Sequence, residues 1–216
     1  MSKPKSGTGR DGDTEKRILD AATTVFVRRG TAGARMQEIA EEAGVNQALL
    51  HYYFRSKERL SEAVFRDTAG RMFPALIQAL GDDIPIVDKI DRIVDMYLTT
   101  MSRTPFLPGY IISELHHHPE RVPQLLGNIV GGNLSDTVRP ALAKLDKQIA
   151  IEARAGRMRR MSAQQFVMNL LSLCIFPFAA RPMFCAALAL DDNDFAKVIE
   201  QRRKELPVYI RHAIKP

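Results

Sequence analysis

The sequence predicts an all-α fold, and three observations carry that prediction. Apolar residues recur at helical spacing over long stretches, cap and stop residues stand where the spacing lapses, and no segment alternates as a strand would. At 216 residues the chain is longer than one small domain and shorter than two large ones, so one domain with an appended module is expected. The hydrophobic fraction of 45% and mean hydropathy of -0.17 suit a soluble chain with a core that needs no staples. Cys174 and Cys185 both lie in apolar surroundings, which fits reduced thiols and a cytoplasmic location. The N-terminal "MSKPKSGTGRDGD" has no apolar run, and the longest apolar stretch, Phe166 to Ala180, is interrupted by Asn169, Ser172 and Pro177. Neither a signal sequence nor a membrane span is expected, and no membrane partner.

Residues 1–12 read as a flexible arm. The first helix follows, with Ile18, Leu19, Ala22, Val25 and Phe26 at helical spacing and Gly30 as its stop. "RMQEIAEEAG" makes a short second helix, with Met36, Ile39, Ala40 and Ala43 on one side and Gly44 closing it. Asn46 caps a third helix that ends near Phe54, and Ser56 caps a fourth running from Lys57 through Phe73. Two short helices joined by a tight glycine turn form a helix-turn-helix.

On the third helix Leu50 and Phe54, four apart, share the face that enters the core. Ala48 and Tyr52 point away, flanked by Leu49 and His51, and Gln47 stands in the first turn. Small apolar groups meet thymine methyls, tyrosine hydroxyls reach phosphates or base edges, and a glutamine offers a donor and an acceptor, so this face suits a DNA major groove. Charge agrees: the chain carries net +6, residues 1–66 hold half of that excess, and residues 43–57 contain Arg55 and Lys57 but no acid.

These residues, taken in order, resemble the DNA-binding module of the tetracycline-repressor-like (TetR) family of bacterial transcription regulators. The resemblance covers about residues 14–60 and rests on Ile39, Ala40, Ala43, Gly44 and Val45, then Tyr52, Tyr53 and Phe54, then Arg55, Ser56, Lys57, Glu58 and Leu60. It implies base-edge contacts for Gln37, Gln47, Ala48 and Leu49, and phosphate or nearby contacts for His51, Tyr52, Tyr53 and Lys57. Two positions depart from the pattern. His51 replaces the usual Tyr, and Arg35 stands near a customary Thr or Ser cap, where it offers a cation to phosphate instead.

After the 13–60 module, residues 61–216 continue as helices. Ile86, Ile90, Ile93, Val94, Tyr97 and Leu98 define one, "TPFLPG" breaks it, and "YIISELHHHPE" makes a short one. A longer helix is expected from about Asn128 to Ala155, kinked at Pro140. "SAQQ" at 162–165 opens an apolar helix to Ala180, and an amphipathic helix follows Asp194. By the resemblance this half is a ligand-binding and dimerisation domain whose last two long helices pair across a two-fold axis. Met72, Phe73, Met96, Tyr97, Tyr110, Ile111, Met168 and Phe176, with Glu114 and His117 as polar anchors, are the expected lining of an effector pocket.

"HHHPE" holds a single Glu-x-x-His pair, whereas a di-iron bundle needs two, and "GNIVGGN" lacks the Lys-Ser/Thr ending of a phosphate loop. No metal, cofactor or enzymatic activity is expected. The reading is a homodimeric regulator on a palindromic operator, a repressor released by a small lipophilic molecule. The rival reading is an all-helical enzyme or metal-binding bundle over residues 84–206, with the N-terminal module as an interaction device.

Overall fold

A computed structural model describes residues 8–117, 119 and 121–216. Every regular element among them is an α-helix: α1 (Thr8–Gly33), α2 (Met36–Glu42), α3 (Gln47–Phe54), α4 (Lys57–Gly81), α5 (Ile86–Arg103), α6 (Leu107–His117), α7 (Arg121–Val130), α8 (Leu134–Arg154), α9 (Ala163–Ala179), α10 (Arg181–Ala187) and α11 (Asp192–Ala213). None is long and apolar enough by itself to cross a membrane. The chain divides into two compact units after Thr68, eight residues beyond the expected end of the first module, so α4 supplies residues to both.

In the first unit α1 presents Ile18, Ala22, Val25 and Phe26 to the core, all fully buried. The helix starts at Thr8, so residues 8–12, expected in the arm, belong to it, while 1–7 lie outside the described residues. Its regular part stops at Gly30, whose φ of 67° is open to glycine at no steric cost. Ile39 and Ala40 of α2, Leu50 and Phe54 of α3, and Leu60, Ala63 and Val64 of α4 are also buried.

The second unit is built on α5, whose buried Ile86, Ile90, Ile93, Val94, Tyr97, Leu98 and Met101 follow helical spacing. This helix packs mainly on α11 and α9. Its Lys89 is fully buried, with Nζ donating to the carbonyls of Leu80 and Asp82 at 2.6 Å each. That ammonium satisfies carbonyls at the C-terminal end of α4, at the cost of a pKa that burial pushes down.

Several boundaries differ from the sequence reading, and α4, expected to end near Phe73, runs on to Gly81. The helix expected from Asn128 to Ala155 is two helices: Gly131 has a φ of 73°, Gly132 N–H bonds back to Gly127 O at 3.0 Å, and Asn133 caps α8 by accepting from Ser135 N–H at 2.9 Å. "TPFLPG" breaks the chain only briefly, because Pro108 sits in the first turn of α6, where a missing N–H costs little. The short α10 was not anticipated, and the last helix opens at Asp192, with Asp191 accepting from Asp194 N–H at 2.8 Å.

Helix α9 contains Pro177, whose ring nitrogen cannot donate to the carbonyl of Leu173 one turn back. Arg202 of α11 fills that gap, donating to Leu173 O from Nε at 3.2 Å and from Nη2 at 2.9 Å. Arg202→Met keeps the aliphatic stem and removes both donors, so it is expected to cost about 1–2 kcal/mol in chemical denaturation. Adding Pro177→Ala restores the helical N–H and should recover most of that loss. An equal deficit with or without Pro177→Ala would show that Arg202 acts otherwise.

Candidate nucleic-acid interface

Helix α3 is eight residues long and enters from Asn46, whose Oδ1 accepts from Leu49 N–H at 2.7 Å. Before it, α2 ends in a glycine turn with Gly44 at a φ of 62°, where Val45 N–H bonds to Ala40 O at 3.0 Å. Arg17 of α1 braces this turn, its Nη2 donating to Ala43 O at 2.9 Å and Gly44 O at 3.4 Å. Two successive carbonyls at the start of the turn are thereby tied to α1, which holds the turn from which α3 leaves.

The rotation of α3 about its axis is set by burial. Leu50 and Phe54 are inside, and Gln47, Ala48, His51, Tyr52 and the following Arg55 form a continuous exposed stripe, with Leu49 half-buried at its edge. Tyr52 is 78% exposed and stands edge-on to Tyr53, ring centroids 5.4 Å apart. The stripe carries no carboxylate, so nothing on it repels a polyanion, and a helix of about 10–12 Å diameter fits a groove about 12 Å wide.

Flanking residues are placed differently from one another. Arg35 is exposed and precedes α2 without a side-chain capping bond, as a cation free of that role. The amide of Gln37 donates to Glu41 Oε1 at 3.0 Å, so it meets the surface already partnered. Tyr53 and Lys57 were expected to reach phosphate, yet both have partners inside the unit. Tyr53 OH donates to Asp11 Oδ1 at 3.1 Å, and its pKa is raised by desolvation and by that carboxylate. Lys57 Nζ donates to Ala32 O at 2.9 Å and Ala34 O at 3.2 Å, which leaves one N–H for any phosphate. Arg17 and Asp11 went unnoticed in the sequence, since their partners lie 26 and 42 residues away and no local pattern announces them.

The residues of the expected effector lining differ in burial. Tyr97 is buried, and burial together with the neighbouring Cys174 pushes its phenol pKa well up; the Cys174 thiol itself is pushed up to about 12 by burial. Met72, Phe73, Met96, Tyr110 and Ile111 are half-buried. Met168 and Phe176 do not line a core cavity: they are 61% and 54% exposed, because the buried face of α9 repeats through Phe166, Leu170, Cys174 and Phe178 on its other side. The side chains of Glu114 and His117 lie outside the described residues, as does His118. Outside that set, a groove of about 430 Å³ between α9 and α11 is lined by Leu173, Val198, Arg202 and Tyr209.

Residues 18–64 match the family described as bacterial regulatory proteins, tetR family. The HTH-type transcriptional repressor SCO4008 of Streptomyces coelicolor is 35% identical over 112 residues, covering 50% of this chain and 57% of that protein. The HTH-type transcriptional repressor Rv3405c of Mycobacterium tuberculosis is 32% identical over 136 residues, covering 63% and 64%. The chain thus spans between half and two thirds of these relatives' length. Among solved structures, the hemolysin II transcriptional regulator HlyIIR shares the fold over 95% of this chain and 98% of its own, with a TM-score of 0.56 and 21% identity. FadR of Bacillus subtilis, solved in complex with stearoyl-CoA, covers 88% and 96%, with a TM-score of 0.55 and 15% identity.

The bonds from Lys57 make it a strut of the module. Lys57→Met is expected to lower stability by about 1–2 kcal/mol, read from denaturant unfolding of the full chain, because two carbonyls lose a charged donor. Stability indistinguishable from the unaltered protein would mean that water replaces the ammonium without loss and that Lys57 is no strut.

Proposed function

We propose that this chain, a member of the tetR family of bacterial regulatory proteins through its helix-turn-helix at residues 18–64, is a sequence-specific DNA-binding transcription regulator. The observation that carries the reading is the acid-free stripe of Gln47, Ala48, His51 and Tyr52, exposed along a helix whose opposite side is locked by Leu50 and Phe54. In this reading Gln47, Ala48 and Leu49 face base edges, while Tyr52 and Arg35 reach the phosphates. Gln37, Tyr53 and Lys57 take part only through what their internal bonds leave free.

Repression is favoured over activation because two of the relatives, SCO4008 and Rv3405c, are named repressors. A homodimer is supported by the apolar side chains exposed on the last helices, Met168 and Phe176 of α9 and Val198, Val208 and Tyr209 of α11, together with the groove between them. A lipophilic effector is supported by the half-buried apolar residues that α4, α5 and α6 carry, and the neighbour FadR was solved in complex with stearoyl-CoA. A regulator of this kind works in the compartment that holds the DNA, the cytoplasm.

Selection of duplexes from a random library tests this reading. The protein is expected to enrich a palindrome whose half-sites are set by its two recognition helices. Tyr52→Ala should weaken binding to that duplex with unchanged circular dichroism, and Gln47→Ala should relax the preference at one base pair per half-site by about 1–3 kcal/mol. Enrichment of no sequence, or a well-folded Tyr52→Ala that binds as the unaltered protein does, would overturn it.

A further inference from the structure

His51 is the one histidine of the exposed stripe, the side-chain type whose charge ordinarily changes between pH 5 and 8, and its surroundings fix which ring nitrogen carries the hydrogen. Nδ1 lies 3.2 Å from the carbonyl oxygen of Arg55, the residue that follows α3. A carbonyl only accepts, so Nδ1 carries the hydrogen. In the neutral ring Nε2 therefore holds the lone pair, and this nitrogen is the one left to whatever approaches the stripe. A phosphate oxygen is also an acceptor. Neutral His51 has nothing to offer it, while protonated His51 offers an N–H and a positive charge from the same atom without breaking the bond to Arg55.

Resting on the DNA-binding reading above, we propose that His51 is a conditional phosphate contact, so that each recognition helix takes up one proton at Nε2 when it seats on DNA. The proton comes from solvent and goes onto the imidazole, which becomes the imidazolium donor. Charged groups on the neighbouring elements include Arg55 just after α3, Glu41 on α2, Asp11 on α1, and Lys57 and Glu58 on α4. Glu41 accepts from Gln37, Asp11 accepts from Tyr53, and Lys57 donates to two carbonyls. None of these side-chain types ordinarily changes charge between pH 6 and 8, so among these groups the imidazole alone can supply the linkage there. The sign follows directly. DNA phosphates favour the cationic ring, so the bound form holds more protons than the free form, and affinity rises as pH falls. A neutral Nε2 accepting from the amine of adenine or cytosine would give the opposite sign.

The test is fluorescence anisotropy at constant ionic strength with the selected duplex, at pH 6.0 and 7.5, on the full-length protein. Binding of the unaltered chain is expected to be at least about fivefold tighter at pH 6.0, a size that follows from a shift of about one pH unit in an imidazole on each of two recognition helices. His51→Gln should lose the pH dependence, and His51→Lys should bind tightly at both pH values because its charge is permanent. Circular dichroism at each pH checks that the variants are folded. Affinity that does not change with pH, affinity that falls on acidification, or a slope that persists in His51→Gln, carried then by other histidines, would each overturn the assignment. Absence of binding at either pH by every form would sink the DNA-binding reading itself, an outcome distinct from binding without proton linkage.

Discussion

A backbone carbonyl removed from its helical partner must find another donor, and at several places among the described residues that donor is a cation. Arg17 serves the carbonyls of Ala43 and Gly44 after α2, Lys57 those of Ala32 and Ala34 before it, and Lys89 those of Leu80 and Asp82 at the end of α4. Arg159 donates to the carbonyl of Ala213 near the end of α11, and Arg202 serves the carbonyl that Pro177 strands in the middle of α9. Each cation fixes a helix end or a kink relative to a neighbour within its unit. A chain made only of helices has many such ends, and closing them with long basic side chains lets the connections stay short.

This changes what the net charge of +6 means. Part of the basic excess holds the architecture and is unavailable to a polyanion. The proposed interface is marked less by the number of cations than by the absence of carboxylates on the outer stripe of α3. Its geometry derives from Leu50 and Phe54: their burial sets the rotation of the helix, Asn46 fixes where it starts, and the Arg17 bonds at the Gly44 turn fix its departure. Nδ1 of His51 likewise faces a main-chain acceptor close by, the carbonyl of Arg55 just past the end of α3.

Much of this was legible in the sequence because it is local. The caps at Asn46, Ser56 and Ser162, the buried pair on α3, and the outward Gln47, Ala48 and Tyr52 follow from spacing of four residues or fewer. What escaped depends on distant partners or on competition between local signals. Nothing near Tyr53 or Lys57 reveals Asp11 or the carbonyls of Ala32 and Ala34. Apolar spacing alone ran one helix through Gly131 and Gly132, where positive φ and the Asn133 cap end it and begin another. Met168 and Phe176 look like pocket residues by type, yet the stronger apolar face of α9 lies opposite and turns them outward.

The central claim is that the stripe on α3 is the surface that meets DNA. Hydroxyl-radical footprinting of side chains measures this at Tyr52, whose 78% exposure makes it a strong target in the free protein. With saturating selected duplex, labelling of Tyr52 is predicted to fall severalfold. Labelling of Val27, exposed on α1 of the same unit and outside the stripe, is the reference. Equal labelling of Tyr52 with and without bound DNA would contradict the account, because the duplex would then be held by some other surface.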